Sequence, residues 1–257
     1  MNRVNAIQKI RTSLRKGGLS IGSWIQIPHP SVAEIMGAAG YDWVAIDMEH
    51  GSIGRHQLPD LFRALELGNT LPLVRVAKGG SMECKEALDA GAGGVIVPMI
   101  NDSKQLIAVR DECRWPPSGK RGVAFCRGNL FGAKFEEYKV EAQAPLLIAM
   151  IEHIDAVNCL DEILMVDGLD AILIGPYDLS ASMGLMGSFD NSLFLNVLLK
   201  IMSKAEAAGV ASGIHVVNAS KSELIRRIKE GYRFLAYSID SVMLNNASEL
   251  KLKDLTQ

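Results

Sequence analysis

Cysteine is scarce in this 257-residue chain, and its four copies, Cys84, Cys113, Cys126 and Cys159, are scattered without CxxC spacing. That excludes a disulfide framework and a zinc ribbon, and it favours reduced thiols in a cytoplasmic protein. Aromatic residues are only 6% of the chain, so aliphatic side chains must fill the core. No sign of charge dominates: 27 Lys and Arg against 29 Asp and Glu leave a net charge of −2. No basic surface invites nucleic acid, and no DNA- or RNA-binding motif occurs. No apolar run approaches the roughly 20 residues of a membrane span. The N-terminus is too polar for a signal peptide, and Val4, Ile7 and Ile10 recur there as on a short amphipathic helix. There is no GxSxG and no P-loop. Gly91-Ala92-Gly93-Gly94 precedes a strand instead of opening a helix, so it is a turn and not a phosphate cradle. No linker composition interrupts residues 1–257, which read as one domain.

What is present is alternation. Eight short runs rich in Val, Ile and Leu recur along the chain: Ser20–Ile27, Trp43–Asp47, Leu71–Ala77, Gly93–Met99, Leu146–Glu152, Ala171–Gly175, Ala211–Val216 and Phe234–Ser238. They lack period-2 patterning, as strands buried on both faces do. Helical patterns fill the gaps. Ser31-Val32-Ala33-Glu34 has capping-box spacing ahead of a helix that stops at Gly40. Helices are also expected from Ser81 to Ala90, Ser103 to Cys113, Leu195 to Ala208 and Ser220 to Glu230, with Gly91, Gly209 and Gly231 as stops. Eight such units in about 250 residues favour a single (β/α)8 TIM barrel in the α/β class over an open sheet. The long irregular stretch Trp115 to Pro145, following the fourth strand, is expected to lie over the active rim.

In such a barrel all strands open onto one rim. Glu152 ends the fifth run, and Asp178 follows the sixth in Ile174-Gly175-Pro176-Tyr177-Asp178. Two carboxylates on adjacent strand ends, with no helpful Cys or His beside them, suit Mg²⁺ or Mn²⁺. His50, in Asp47-Met48-Glu49-His50-Gly51, stands near the same rim; a lone loop histidine is as readily a plain surface residue. Arg75 lies within an apolar strand, where a charge is costly unless paired or used. It is either neutralised by Glu49 or Glu152, or it clamps an oxyanion. Asp89 sits near a helix C-terminus against the macrodipole; it either has a specific partner or is a plain solvated surface acid. His153, next to Glu152, reads as structural.

Taken in order, Asp47-Met48-Glu49-His50-Gly51, Val74-Arg75-Val76, Leu88-Asp89-Ala90-Gly91-Ala92, Val97-Pro98-Met99, Ile151-Glu152 and Ile174-Gly175-Pro176-Tyr177-Asp178-Leu179-Ser180-Ala181-Ser182-Met183-Gly184 resemble the HpcH/HpaI aldolase family. The resemblance runs from about Gly22 to Ser238. It implies a class II pyruvate aldolase that cleaves or forms 4-hydroxy-2-keto acids through a pyruvate enolate, with Mg²⁺, Mn²⁺ or Co²⁺. It implies that Glu152 and Asp178 hold the metal and that Arg75 steadies the enolate oxygen. His50 would carry protons through a bound water, paired with Asp89. The backbone around Gly175, Pro176, Tyr177 and Asp178 would bind the substrate carboxylate, and Trp24 would stand near the substrate mouth. The implied partners are a 2-keto acid and an aldehyde, and the implied assembly is a hexamer built as a trimer of dimers. Its interface is expected at the N-terminal helix or at Leu244–Leu255.

Two departures stand out. Met150 occupies a position where the family often has a Gln that touches the keto acid, and a thioether donates no hydrogen bond. Tyr177 stands where the sugar-acid aldolases often have a small residue. With Arg127-Gly128-Asn129-Leu130-Phe131-Gly132, it points to a branch similar to macrophomate synthase. The rival activities are an oxaloacetate-type decarboxylase and an acyl-CoA lyase using the same enolate, or a keto-acid binder without turnover. No lysine stands inside a candidate strand, which argues against Schiff-base chemistry.

Overall fold

In the computed structural model, which describes residues 1–249, eight strands close into a parallel barrel in sequence order, with β1 pairing β8. They are β1 (Ser20–Ile25), β2 (Trp43–Asp47), β3 (Leu71–Arg75), β4 (Gly94–Val97), β5 (Leu146–Ile151), β6 (Ala171–Ile174), β7 (Ala211–Val216) and β8 (Phe234–Ile239). The helices are α1 (Arg3–Arg15), α2 (Pro30–Ala38), α3 (Leu58–Leu67), α4 (Ser81–Ala90), α5 (Ser103–Cys113), α6 (Phe135–Gln143), α7 (Ile154–Asn158), α8 (Leu160–Leu164), α9 (Pro176–Ser182), α10 (Ser192–Ala207), α11 (Lys221–Glu230) and α12 (Asp240–Ser248). The buried β-branched and leucine side chains of the strands face two ways. One set meets the helix ring and the other fills the barrel. The α2 cap differs from the expected box: His29 is the N-cap, and its Nδ1 accepts from the Ser31 N–H at 3.1 Å. Pro30 at the first helical position starts the helix two residues earlier than the Ser31 box implies.

The floor of the barrel is aromatic despite the low aromatic content. Trp43 stacks on Phe234 with centroids 4.5 Å apart, and Trp24 meets Trp43 edge-on at 6.2 Å. Gly22 is required there, because a Cβ would fall 2.1 Å from the Trp43 ring. Helix α1 closes this end with Ile7, Ile10 and Leu14. Its apolar face is therefore spent inside its own barrel, which leaves only the polar face of the helix for the expected intersubunit contact. Arg11 anchors the plug through a buried pair with Asp170, whose oxygens accept at 2.6 and 3.1 Å. Of the other expected interface, residues 250–255 lie outside the described residues.

The irregular stretch also needs correction. Helix α5 intervenes after β4, so the stretch from Trp115 runs beneath the barrel towards β5, away from the rim. There Arg127 donates to the Ala90 carbonyl and to Glu66, at 2.8 and 3.0 Å. The stretch contains α6, packed by Trp115, Tyr138 and Ala142.

Candidate active site

The ends of β1, β2, β3, β5 and β6 deliver the polar residues of the rim. Asp47, the last residue of β2, has no exposed surface. Its Oδ1 and Oδ2 accept from Arg75 Nε and Nη2 at 2.9 and 2.7 Å. Burial opposes its ionisation, but the Arg75 guanidinium holds the carboxyl below its ordinary range. Arg75 Nη1 faces Glu49 Oε2 at 3.1 Å, an ion-pair distance but off the hydrogen-bonding direction. The same Glu49 oxygen lies 3.6 Å from His50 Nε2. Arg75 is thus paired with Asp47 and Glu49, and of the two partners expected for it only Glu49 is found.

Glu152, one residue past β5, is 3% exposed, and its Oε1 accepts from the Met99 N–H at 2.6 Å. Met99 adopts a left-handed backbone (φ +52°) to aim that donor. Burial pushes the Glu152 carboxyl up to about 7, and the charges of Glu49 and Asp178 add to the effect. Burial also raises Glu49, with Asp47 and Asp178 contributing. Asp178, on the exposed first turn of α9, is therefore close enough to act on both acids. Gly175 gives Glu152 its room: a Cβ there would lie 2.6 Å from Glu152 Oε2. The Met150 methyl lies 3.5 Å from the same point, so the expected thioether does line the base of the site.

Three carboxylates converging on one mouth, with burial raising the proton affinity of Glu49 and Glu152 and a buried Glu49 oxygen lacking a hydrogen bond, fit a divalent cation. Among the described residues no group of three or more His, Cys, Asp and Glu forms a protein-only cage. Mg²⁺ does not need one, since it is held by one or two carboxylates with water and substrate oxygens completing the shell. Glu152 and Asp178 match that donor set.

Two expected site residues lie elsewhere. Trp24 is 1% exposed, beneath Arg75, whose Cζ sits 4.7 Å above its ring. It is a floor under the cation and not part of the substrate mouth, because its side chain points into the barrel. Asp89 ends α4 at the opposite end of the barrel, where it pairs with Arg121 at 2.8 Å. It cannot meet His50 within one chain. Tyr177 is 51% exposed and packs edge-on against Phe189 at 4.9 Å. It marks one end of a 760 Å³ groove between α10 and α11. That groove includes none of the three converging acids, so the chemistry belongs to the barrel mouth. Sequence reasoning missed Asp47 and the place of Glu49 among the converging acids, having offered Glu49 only as a counter-charge for Arg75, and it missed Gln26 and the Met99 amide. The first two stand in the motif that contains His50, and a polar pair at a buried strand end was the available signal.

The family model for HpcH/HpaI aldolase/citrate lyase matches residues 20–247. A hydroxypyruvate/pyruvate aldolase of Roseobacter denitrificans is 33% identical over 95% of this chain and 95% of its own. A 4-hydroxy-2-oxovalerate aldolase of Novosphingobium aromaticivorans is 36% identical over 91% of this chain and 89% of its own. The crystal structure of an HpcH/HpaI aldolase/citrate lyase family protein from Burkholderia cenocepacia J2315 aligns with a TM-score of 0.89 at 29% identity. That alignment covers 97% of this chain and 99% of the other. Macrophomate synthase aligns with a TM-score of 0.78 at 24% identity, over 98% of this chain and 91% of its own, which is a likeness of fold alone. No described helix is long and apolar enough to cross a membrane.

Proposed function

The chain belongs to the HpcH/HpaI aldolase/citrate lyase family, and on that premise we propose that it is a class II pyruvate aldolase. It joins or splits the C3–C4 bond of 4-hydroxy-2-keto acids. The observation that carries this reading is the pairing of a carboxylate cluster, Glu49, Glu152 and Asp178, with a preset arginine, Arg75, at one barrel mouth. Glu152 and Asp178 would hold Mg²⁺, Mn²⁺ or Co²⁺, which supplies Lewis acidity towards a 2-keto acid's carboxylate and keto oxygens.

Arg75 places a fixed positive charge where the keto oxygen gains electron density. Its Nη1 is the nitrogen that Asp47 leaves uncommitted. His50, exposed at the rim, takes the C4 hydroxyl proton in cleavage and returns it in condensation. The backbone of Gly175, Pro176 and Tyr177 orients the substrate carboxylate, and Trp24 supports Arg75 from below. The substrates are pyruvate or a close 2-keto acid and an aldehyde.

Asp89 serves His50 only if it comes from another copy, so the reading includes a homo-oligomer, with a hexamer as its expected form. The bottom face that carries Asp89 also exposes Phe125, Leu130 and Phe131, at 73%, 48% and 70%. Light scattering at micromolar concentration should give an oligomeric mass, and a monomer would contradict it. The activity itself is tested with a chelator: cleavage of a 4-hydroxy-2-keto acid should cease and return with Mg²⁺ or Mn²⁺. Asp178→Ala should show neither metal binding nor turnover. Full activity in chelator would sink the mechanism.

A further inference from the structure

We propose that Asp47 is a positioning residue for this reaction: one buried carboxylate fixes both the guanidinium of Arg75 and the turn that carries His50. The inference rests on the aldolase reading above. The two oxygens of Asp47 hold different partners. Oδ1 accepts from Arg75 Nε at 2.9 Å and from the backbone N–H groups of Glu49 and His50 at 3.1 and 3.2 Å. Oδ2 accepts from Arg75 Nη2 at 2.7 Å and from Gln26 Nε2 at 2.8 Å. Gln26 is itself held, since its backbone N–H donates to Asp240 at 2.9 Å and its Oε1 accepts from Ser241 Oγ at 3.0 Å. One side chain therefore ties together the ends of β1, β2 and β3 and the start of α12.

The arrangement leaves Arg75 little freedom. Asp47 takes Nε and Nη2 in the bidentate geometry that only a guanidinium matches. The Trp24 ring lies beneath, packed against His215 at 5.7 Å. Burial drives His215 down to about 4, so the imidazole is neutral at pH 7 and adds no like charge under Arg75. Nη1 alone is left to face the carboxylate cluster, at Glu49. A long, flexible side chain is thus ordered before substrate arrives, which is the condition for charge stabilisation without reorganisation in the transition state.

The two oxygens make separable predictions. In Asp47→Asn the retained oxygen can still serve the turn and Nε. The new amide, however, turns its own donors towards Arg75 Nη2 and Gln26 Nε2. Asp47→Ala removes both sets of contacts. Crystal structures of the metal-free variants should show Arg75 displaced in Asp47→Asn with the 49–50 turn intact, and both displaced in Asp47→Ala. Exchange of the pyruvate methyl protons in D₂O with Mg²⁺ should lose roughly 10²-fold in kcat for Asp47→Asn, the scale of a small misplacement. KM for pyruvate should change little. Arg75 holding its place in Asp47→Asn, or moving without a fall in kcat, would overturn the inference. Should Asp47→Asn not fold, Gln26→Leu decides: a smaller fall in kcat with Arg75 displaced supports the proposal, and an unchanged kcat overturns it. A wild type that exchanges no deuterium would remove the aldolase reading, whereas the crystallographic position of Arg75 would still decide whether Asp47 positions it.

Discussion

Glu152→Gln should stabilise the metal-free protein above pH 7 while removing its response to magnesium. The folded carboxyl titrates at about 7, against an ordinary value of 4.5, because burial and two neighbouring acids disfavour its charge. Between those values the folded chain keeps a proton that the unfolded chain has lost. Stability therefore falls as pH rises from about 4.5 and reaches its full penalty above about 7. An interval of about 2.5 pH, at about 1.4 kcal/mol each, is a cost of about 3 kcal/mol. Glutamine avoids that cost, and its carbonyl can still accept from the Met99 N–H that Glu152 now uses. For a chain of this size the gain corresponds to a melting point higher by roughly 10 °C at pH 8 and almost no difference near pH 4.5. The assay is thermal unfolding in chelator from pH 5 to 8.5, repeated with Mg²⁺. Mg²⁺ should raise the wild-type melting point more as pH rises, because it competes with the Glu152 proton, and should leave the variant unmoved. Parallel pH profiles for the two proteins, or equal stabilisation of both by Mg²⁺, would refute the reasoning.

Other perturbations follow from single contacts. Gly175→Ala places a methyl 2.6 Å from Glu152 Oε2; Mg²⁺ affinity by calorimetry should drop by roughly 10-fold or more, the scale of disturbing a ligand's support. Asp170→Ala strands the buried Arg11 charge, and should cost about 3–5 kcal/mol in denaturant unfolding while leaving metal binding intact. An Asp170→Ala protein with wild-type stability would show that the α1 plug does not rest on this pair.

The strands were legible because burial on both faces leaves a plain apolar run: Trp43–Asp47 and Ala211–Val216 have the expected limits, and the others differ by one or two residues. Helices α4 and α11 were legible because Gly91 and Gly231 end them in the left-handed conformation. The α2 cap was not, since a histidine ring took the role that serine spacing suggested. Glu152 and Asp178 announced themselves as carboxylates after apolar strands. Asp47 ends its strand in the same way but was passed over. Its role is defined by Arg75, 28 residues away, and pairings across strands leave no local mark. The place of Asp89 was illegible for a related reason: spacing puts it in the motif series, whereas topology sends it to the other end of its own barrel, where it pairs with Arg121. The long stretch after α5 was misplaced because its length suggested function, and α5 itself reverses the chain before it begins.

The central claim is that this mouth makes a pyruvate enolate with Arg75 as its charge partner. The most direct measurement is deuterium incorporation into the pyruvate methyl group in D₂O, followed by NMR with Mn²⁺ or Mg²⁺ and in chelator, which needs no knowledge of the aldehyde. Wild type should exchange only with metal. Arg75→Lys, which keeps the charge but loses the planar donor pair, should exchange roughly 10²-fold more slowly with pyruvate binding far less changed. Absence of exchange in wild type with every divalent metal, or equal rates in wild type and Arg75→Lys, would contradict the account.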